Sequence, residues 1–287
     1  MSPEAATPVR LRNISDTALW VACYRAEESE RRDALFHDPF ARPLAGERGF
    51  ELLSAMPKGR SLSWPLVART VVFDEMIRAQ LAKGADVVLN LAAGLDARPY
   101  RMALPAELLW IEVDLPPMIE YKSEILAKET PVCRLERVPL DLADAAGRSA
   151  LFARVQERGA RVLILTEGLL IYLQEPQVAA LATDLAAPSN FRGWITDLAS
   201  PGLLKRMAHT WGAEVAKAGA PFVFGPEEGP TYFERFGWRV AAVEENFRAA
   251  ARIKRLPLWM RPFSWLPSPK RWNPKRIWSG LVTLERG

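Results

Sequence analysis

From residue 85 onward, short apolar runs alternate with stretches whose apolar positions recur every three or four residues, and this rhythm sets the fold class. The runs lie at 86–91, 108–113, 134–140, 161–166, 193–198, 238–243 and 277–284. Seven β-type runs separated by helical stretches predict an α/β protein built on a mostly parallel, doubly wound sheet. The last two runs, alternating in character and joined by a short connection region, allow an antiparallel, hairpin-like ending. Ahead of residue 85 the chain reads as helix. Ser15-Asp16-Thr17 can cap a helix on which Ala18, Leu19, Ala22 and Cys23 recur at helical spacing, with Arg25 to Arg32 as a solvated face. His37-Asp38-Pro39 breaks that pattern and residues 41–53 resume it weakly. Residues 64–81 then carry Val67, Val71, Met76, Ile77 and Leu81 on one side. The expected organisation is an N-terminal helical cap or lid over residues 1–84, its first dozen residues loosely ordered, and a ligand-binding sheet domain over 85–287.

Composition narrows the class without naming an activity. A net charge of +4 over 287 residues, with the cations spread along the chain, suits a solvated surface and argues against nucleic acid as a partner. Cys23 and Cys133 stand in apolar surroundings and read as reduced core thiols of a cytoplasmic protein; no C-x-x-C pair or histidine cluster offers a metal site. No run approaches the 18 or so apolar residues a membrane span requires, and the N-terminus lacks the pattern of a secretion signal.

The chemistry is concentrated where the first four predicted strands end. Val87-Val-Leu-Asn-Leu-Ala-Ala-Gly94 runs from strand into a small-residue turn, and Asp114 closes the next strand 20 residues later. In an open α/β sheet this is how an adenosine-containing ligand is gripped, with the turn admitting it and the acid accepting from its ribose hydroxyls. A pyrophosphate needs the several close backbone approaches of G-x-G-x-x-G, and this turn has one glycine. The cofactor it suits is therefore S-adenosyl-L-methionine rather than NAD. Gly94 on this reading lies against the methionine part, or it is an ordinary helix-entry turn. Asp114 takes the ribose, or caps the helix that Leu115-Pro116-Pro117 begins. Asp141 can accept from an adenine amino group while the backbone of Leu142 donates to the ring. Glu167, after Val162-Leu-Ile-Leu-Thr166, must meet a cation if buried, either the cofactor's own or an arginine of the cap. Arg69 can fork onto a cofactor carboxylate or lie on the surface, whereas Arg98 and Arg101 are expected to pair with protein carboxylates. Neither His37 nor His209 has the neighbours of a catalytic triad.

Several of these residues fall in segments that resemble a known family. Ser15-Asp16-Thr17-Ala18, Arg25-Ala26-Glu27-Glu28-Ser29, Asp38-Pro39, Ala68-Arg69-Thr70, Leu91-Ala-Ala-Gly94-Leu95-Asp96, Val113-Asp114-Leu-Pro116, Leu140-Asp141-Leu142 and Glu167-Gly168-Leu169-Leu170-Ile-Tyr172-Leu173 occur in order over residues 14–175. The combination resembles class I methyltransferases of the leucine carboxyl methyltransferase type, in a bacterial branch similar to polyketide O-methyltransferases. The resemblance implies a Rossmann-like sheet under a helical lid. It further implies that Arg69 holds the cofactor carboxylate, Gly94 lines the methionine portion and Asp114 takes the ribose. Asp141 with Leu142 would hold adenine, and Glu167 would face the methionine amino end. One position departs: Ala92 stands where the family usually has the first glycine of Leu-Gly-Ala-Gly, which is harmless if φ is negative there and costly if it is positive.

The activity expected is methyl transfer to an oxygen of a small-molecule acceptor, a carboxylate or an acidic hydroxyl, with Tyr172 the one candidate for a general base. A protein carboxyl group as acceptor, or a protein that binds the cofactor without catalysis, are the alternatives. After residue 175 no motif fixes the acceptor. The segment 257–272 mixes Trp259, Trp265 and Trp272 with Arg261, Lys270 and Arg271 around four prolines. Packing against the cap is the reading favoured for it, ahead of contact with a membrane surface.

Overall fold

The computed structural model describes residues 15–55, 63–217, 221–266 and 271–286. The expectation for residues 1–12 and the part of the tail at 267–270 lie outside them. Three helices come first, α1 (Ser15–Ser29), α2 (Ala41–Ala55) and α3 (Trp64–Ala82). The sheet then forms from β1 (Val87–Leu91), β2 (Leu109–Asp114), β3 (Arg134–Pro139), β4 (Val162–Thr166), β5 (Phe191–Ala199), β6 (Arg239–Glu245) and β7 (Ser279–Glu285). Its order is β3-β2-β1-β4-β5-β7-β6. All pairings from β3 across to β5 are parallel, and β7 runs antiparallel between β5 and β6. This is the seven-stranded, mostly parallel α/β sheet expected. The ending differs in one respect. β6 and β7 do pair antiparallel, but residues 246–278 separate them, a span far too long for a hairpin turn and one that contributes to the site described below.

Strand position follows sequence. β1 and β4 are buried along their whole length and sit at the centre, whereas β3 (Arg-Leu-Glu-Arg-Val-Pro) and β6 are charged, partly exposed and at the edges, where unpaired backbone needs protection from association. Alternate residues of the central strands feed two cores. Val87, Leu89, Leu91, Ile111 and Ile164 pack under α6 (Ala145–Gln156) and α7 (Glu175–Ala186). Val88, Trp110, Leu163 and Leu165 pack on the opposite face against Ala68, Val72, Phe73 and Ile77 of α3 and Ala249 and Ala250 of α9 (Asn246–Arg252). A fully buried tryptophan such as Trp110 or Trp194 removes enough apolar area to contribute about 3 kcal/mol. The buried face of α3 is broader than the apolar spacing predicts, because Asp74 and Gln80 are buried with it while Val71 and Met76 are only partly so.

α1 and α2 form a third core, where Trp20, Cys23, Tyr24, Leu44 and Leu53 meet Leu95, Ala97, Tyr100 of the short helix α4 (Arg98–Arg101) and Met118 of α5 (Pro116–Ile125). These two helices thus sit over the carboxyl ends of β1 and β2, and α3 belongs to the sheet's own packing. The charged stretch from Arg25 is a solvated face only at Glu30, Arg31 and Arg32. Arg25 donates to Asp38 and to the Leu95 carbonyl, and Glu28 is buried against Arg255 from the far end of the chain.

Candidate active site

A cavity of about 2000 Å³ opens along the carboxyl ends of the strands, roughly twice the upper end of the range usual for small-molecule sites. Gly94, Asp114, Asp141, Leu142, Glu167 and Arg69, the residues singled out in the sequence, all line it. The sheet topology causes this convergence: each residue sits at or just past the end of one of four adjacent strands, except Arg69, which α3 carries in from the covering layer.

The loop after β1 is held by the acid at the end of β2. The Gly94 N–H donates to Asp114 Oδ2 at 2.7 Å, and the Leu115 N–H donates to Oδ1 at 2.7 Å. Asp114 therefore makes no helix cap; Leu115 occupies that position in α5. Burial pushes the Asp114 carboxyl up from its ordinary value, against the lowering effect of those two N–H groups. A desolvated carboxylate with room for further donors fits a pair of ribose hydroxyls. Gly94 has φ +49°, so glycine is needed there for the turn itself; an added Cβ would only touch Ala18. Ala92 also has positive φ, +53°, the unfavourable case for a side chain at that position. Asp141 folds back to accept from the Ala143 N–H at 2.9 Å, and the Leu142 carbonyl accepts from Arg148.

Beneath the loop runs a chain of ion pairs. Asp38 pairs with Arg25 and faces Arg101; Arg101 and Arg98 share Asp74 at 2.6 and 2.7 Å; Arg98 continues to Asp96 at 2.9 Å and Glu167 at 2.7 Å. Arg69 completes it, with Nε 3.0 Å from Glu167 and Nη1 3.1 Å from Asp197. Burial alone would raise the Asp74 and Asp96 carboxyls, but Arg98 and Arg101 outweigh it and hold both below the usual range. Arg98 pairs as expected. Glu167 meets two arginines, one of them from the α3 layer, so its burial is compensated within the protein. Gly168 permits this closeness: it has φ +68°, and a Cβ there would lie 3.1 Å from Arg69 Nη1.

These five carboxylates against four guanidiniums leave one excess negative charge, to which Asp114 adds another. A cationic sulfonium nucleoside fits the balance of this ionic chain, while the rest of the cavity lining adds Arg148, Arg206, Arg248 and Arg276 against Asp141 and Glu245.

Asp197, Asp74 and Asp96 were not singled out in the sequence. Asp197 had the same signal as the others, a carboxylate near the end of a buried strand, in Trp194-Ile-Thr-Asp197. It accepts from the Gly168 N–H at 2.7 Å as well as from Arg69.

Beyond the ionic chain the cavity turns apolar. Its walls there are Leu203 and Met207 of α8 (Pro201–Lys217), Ile171, Phe222, Phe247, Met260 and Trp278, with Arg206 of α8 among them. Tyr172 stands at the junction, stacked on Phe222 at 5.6 Å. Burial pushes its phenol up, against the lowering effects of Thr17 and Arg69, so at neutral pH it carries its proton and can donate a hydrogen bond. Neither histidine lines the cavity, and no metal-binding group of three or more His, Cys, Asp or Glu occurs among the described residues. No helix among them is long and apolar enough to cross a membrane.

Known proteins resemble this chain over most of its length. The family model "Leucine carboxyl methyltransferase" matches residues 18–186. A Streptomyces coelicolor protein named as an S-adenosyl-L-methionine-dependent methyltransferase is 33% identical over 264 residues, 88% of this chain and 89% of its own. A similarly named Streptomyces avermitilis protein is 32% identical over 82% of this chain and 86% of its own. Among solved structures, a DUF574 family protein from Streptomyces avermitilis superposes with a TM-score of 0.59 at 16% identity, covering 94% of this chain and 97% of the other. The identities carry the lineage and the superposition carries only the fold. Both agree with a crevice whose charge and loop geometry suit a sulfonium nucleoside. The chain belongs to the leucine carboxyl methyltransferase family and is an S-adenosyl-L-methionine-dependent methyltransferase.

Proposed function

We propose that the enzyme methylates an oxygen, a carboxylate or an acidic hydroxyl, on a largely apolar small molecule. The observation that carries this reading is the pairing of an extended apolar chamber with a polar junction at which no base stands free among the described residues. Glu167 and Asp197 are engaged by Arg69 and Arg98, and the Tyr172 phenol keeps its proton. An acceptor that arrives already ionised needs no proton removed, and in-line positioning then supplies much of the rate. Arg206, on the apolar wall, is the cation placed to receive its negative charge.

The cofactor brings a methyl group activated on a positively charged sulfur. In this proposal Asp114 accepts from its ribose hydroxyls, and Gly94 leaves room for its methionine portion. Asp141 and the Leu142 backbone read its adenine. Arg69 turns part of its guanidinium from Glu167 and Asp197 to the cofactor carboxylate, freeing Glu167 to face the amino group. Helices α1 and α2 act as the lid that keeps water from the junction.

Two measurements test this. Calorimetry should detect S-adenosyl-L-methionine binding to the wild type. Release of S-adenosylhomocysteine should then be assayed against separate panels of apolar acids, phenols, amines and proteins with free carboxyl termini. Turnover confined to acids or acidic phenols supports the proposal. Turnover only with amines or with a protein would overturn the acceptor assignment, and binding without turnover on any panel would favour a non-catalytic role.

A further inference from the structure

Beyond Met260, which walls the chamber, the segment 258–266 presents an outward apolar surface for which the methyltransferase reading gives no role. Leu258, Trp259, Phe263, Trp265 and Leu266 are between 58% and 85% exposed, an unusual concentration for a surface meant only to face water. The segment is structured. Residues Leu258–Trp265 form 3-10 turns with Pro262 inside and no residue buried. Arg248 donates to the Leu266 carbonyl at 2.6 Å, and Arg261 to the Leu256 carbonyl at 3.2 Å, so the platform is tied to α9. The expectation of packing against the cap is corrected here. Trp272 and Trp278 do pack inward, against each other at 4.9 Å, but Trp259 and Trp265 face out.

Charge identifies the occupant. From residue 246 to 284 the sequence holds nine lysines and arginines and no aspartate or glutamate. Four are paired with acids outside that span, Arg248 and Arg276 with Glu245, Arg252 with Glu75 and Glu244, and Arg255 with Glu28 and Asp33, while Lys254, Arg261, Arg271 and Lys275 are exposed. Exposed indole and phenyl rings among cations match the headgroup layer of an anionic bilayer, where rings bury their apolar bodies and cations meet lipid phosphates. A symmetric pair of chains joined through the same patch would instead bring two positive segments together. Trp259, Phe263 and Leu266 also line the rim of the cavity. We propose that residues 258–266 dock the protein on an anionic membrane surface, with the rim of its apolar chamber against the lipid.

Co-sedimentation of the full chain with vesicles tests this, using phosphatidylcholine alone and phosphatidylcholine mixed with phosphatidylglycerol. Binding is expected to the mixed vesicles, weakening as salt rises. The double variant Leu258→Ser/Trp265→Ser, whose residues lie outside the cavity, should bind at least about tenfold more weakly. Its calorimetric affinity for S-adenosyl-L-methionine should be unchanged, which shows that it is folded. Arg261→Glu should weaken vesicle binding in the same direction. Failure of the wild type to sediment with anionic vesicles overturns the proposal, as does equal sedimentation of the folded double variant. A concentration-dependent dimer that the double variant abolishes, without lipid binding by the wild type, would overturn it in favour of a second copy of the chain.

Discussion

The two ends of the cavity are built on opposite principles. At the end proposed for the cofactor, position is set by charge: Arg25, Arg101, Arg98 and Arg69 alternate with Asp38, Asp74, Asp96, Glu167 and Asp197, and each of these side chains is less than a fifth exposed. At the acceptor end, position is set by shape, from Leu203, Met207, Phe247, Met260 and Trp278 on elements that differ in kind. A buried ion pair tolerates almost no change, because removing one member strands the other; an apolar wall repacks. The largest effect should therefore come from the middle of the ionic chain. Asp74→Ala leaves two buried guanidiniums side by side without their shared carboxylate, Arg98 keeping Asp96 and Glu167 and Arg101 keeping only the longer contact to Asp38, and urea unfolding should report a loss of about 3 kcal/mol. If it costs no more than an apolar truncation at the other end, the contrast between the ends is false.

Asp114 separates binding from folding. Asp114→Ala should weaken S-adenosyl-L-methionine about 30-fold or more in calorimetry, since hydrogen bonds to a charged group contribute about 1.5–3 kcal/mol each. Acid should act on Asp114 and on the ionic chain at different points of one titration. The Asp74 and Asp96 carboxyls lie below their unfolded values, so the stability they supply is complete above the unfolded value of about 3.9. It is lost only as pH falls through their depressed folded values. Asp114 is shifted the other way by burial, so it gains its proton while those pairs are still intact. Acidification should thus reduce cofactor affinity, by about tenfold per pH unit below the Asp114 value, before it unfolds the protein. Circular dichroism and calorimetry over one acid series would check the order. Simultaneous loss would mean that the ionic chain, and not Asp114, governs binding.

At the apolar end the expected effects are smaller and fall on a different constant. Met207→Ala should raise the acceptor KM several-fold while leaving the calorimetric affinity for S-adenosyl-L-methionine unchanged, because the side chain lines the chamber without joining the ionic chain. An equal loss of cofactor affinity would show that the two ends are mechanically one.

The same contrast explains what could be read without coordinates. Strand ends obey a rule that needs no partner information, and so Gly94, Asp114, Asp141 and Glu167 were legible from local pattern alone. Asp197 obeys it too, but it lies two residues inside β5, where Leu198 and Ala199 continue the apolar run and hide the strand end. The ionic chain was not legible in the same way. Asp74 looks like a flaw in an apolar helix until Arg98 and Arg101 are brought beside it across the fold. Arg25 reads as a surface charge until Asp38 and the Leu95 carbonyl are placed around it. The acceptor wall was the least legible part. α8, Phe222, Phe247 and the 257–266 segment meet only because β7 returns to pair between β5 and β6, a long-range event with no short-range signature.

Ala92 gives the finest test of the cofactor end. Its φ of +53° places a Cβ in the left-handed region, at a cost of about 1–2 kcal/mol. Ala92→Gly removes that strain but restores unfolded-chain freedom worth about 0.4–1 kcal/mol, so the net gain in stability should be at most about 1.5 kcal/mol. The methyl group borders the cavity and also packs against the core formed by the central strands. If the core contact is what the methyl serves, the glycine variant should bind S-adenosyl-L-methionine within about threefold of the wild type, because the loop is still held by Asp114 through the Gly94 N–H. A gain of tenfold or more, about 1.4 kcal/mol, would show that the methyl obstructs the cofactor. This chain would then be a methyltransferase whose cofactor affinity is held down by a single carbon atom.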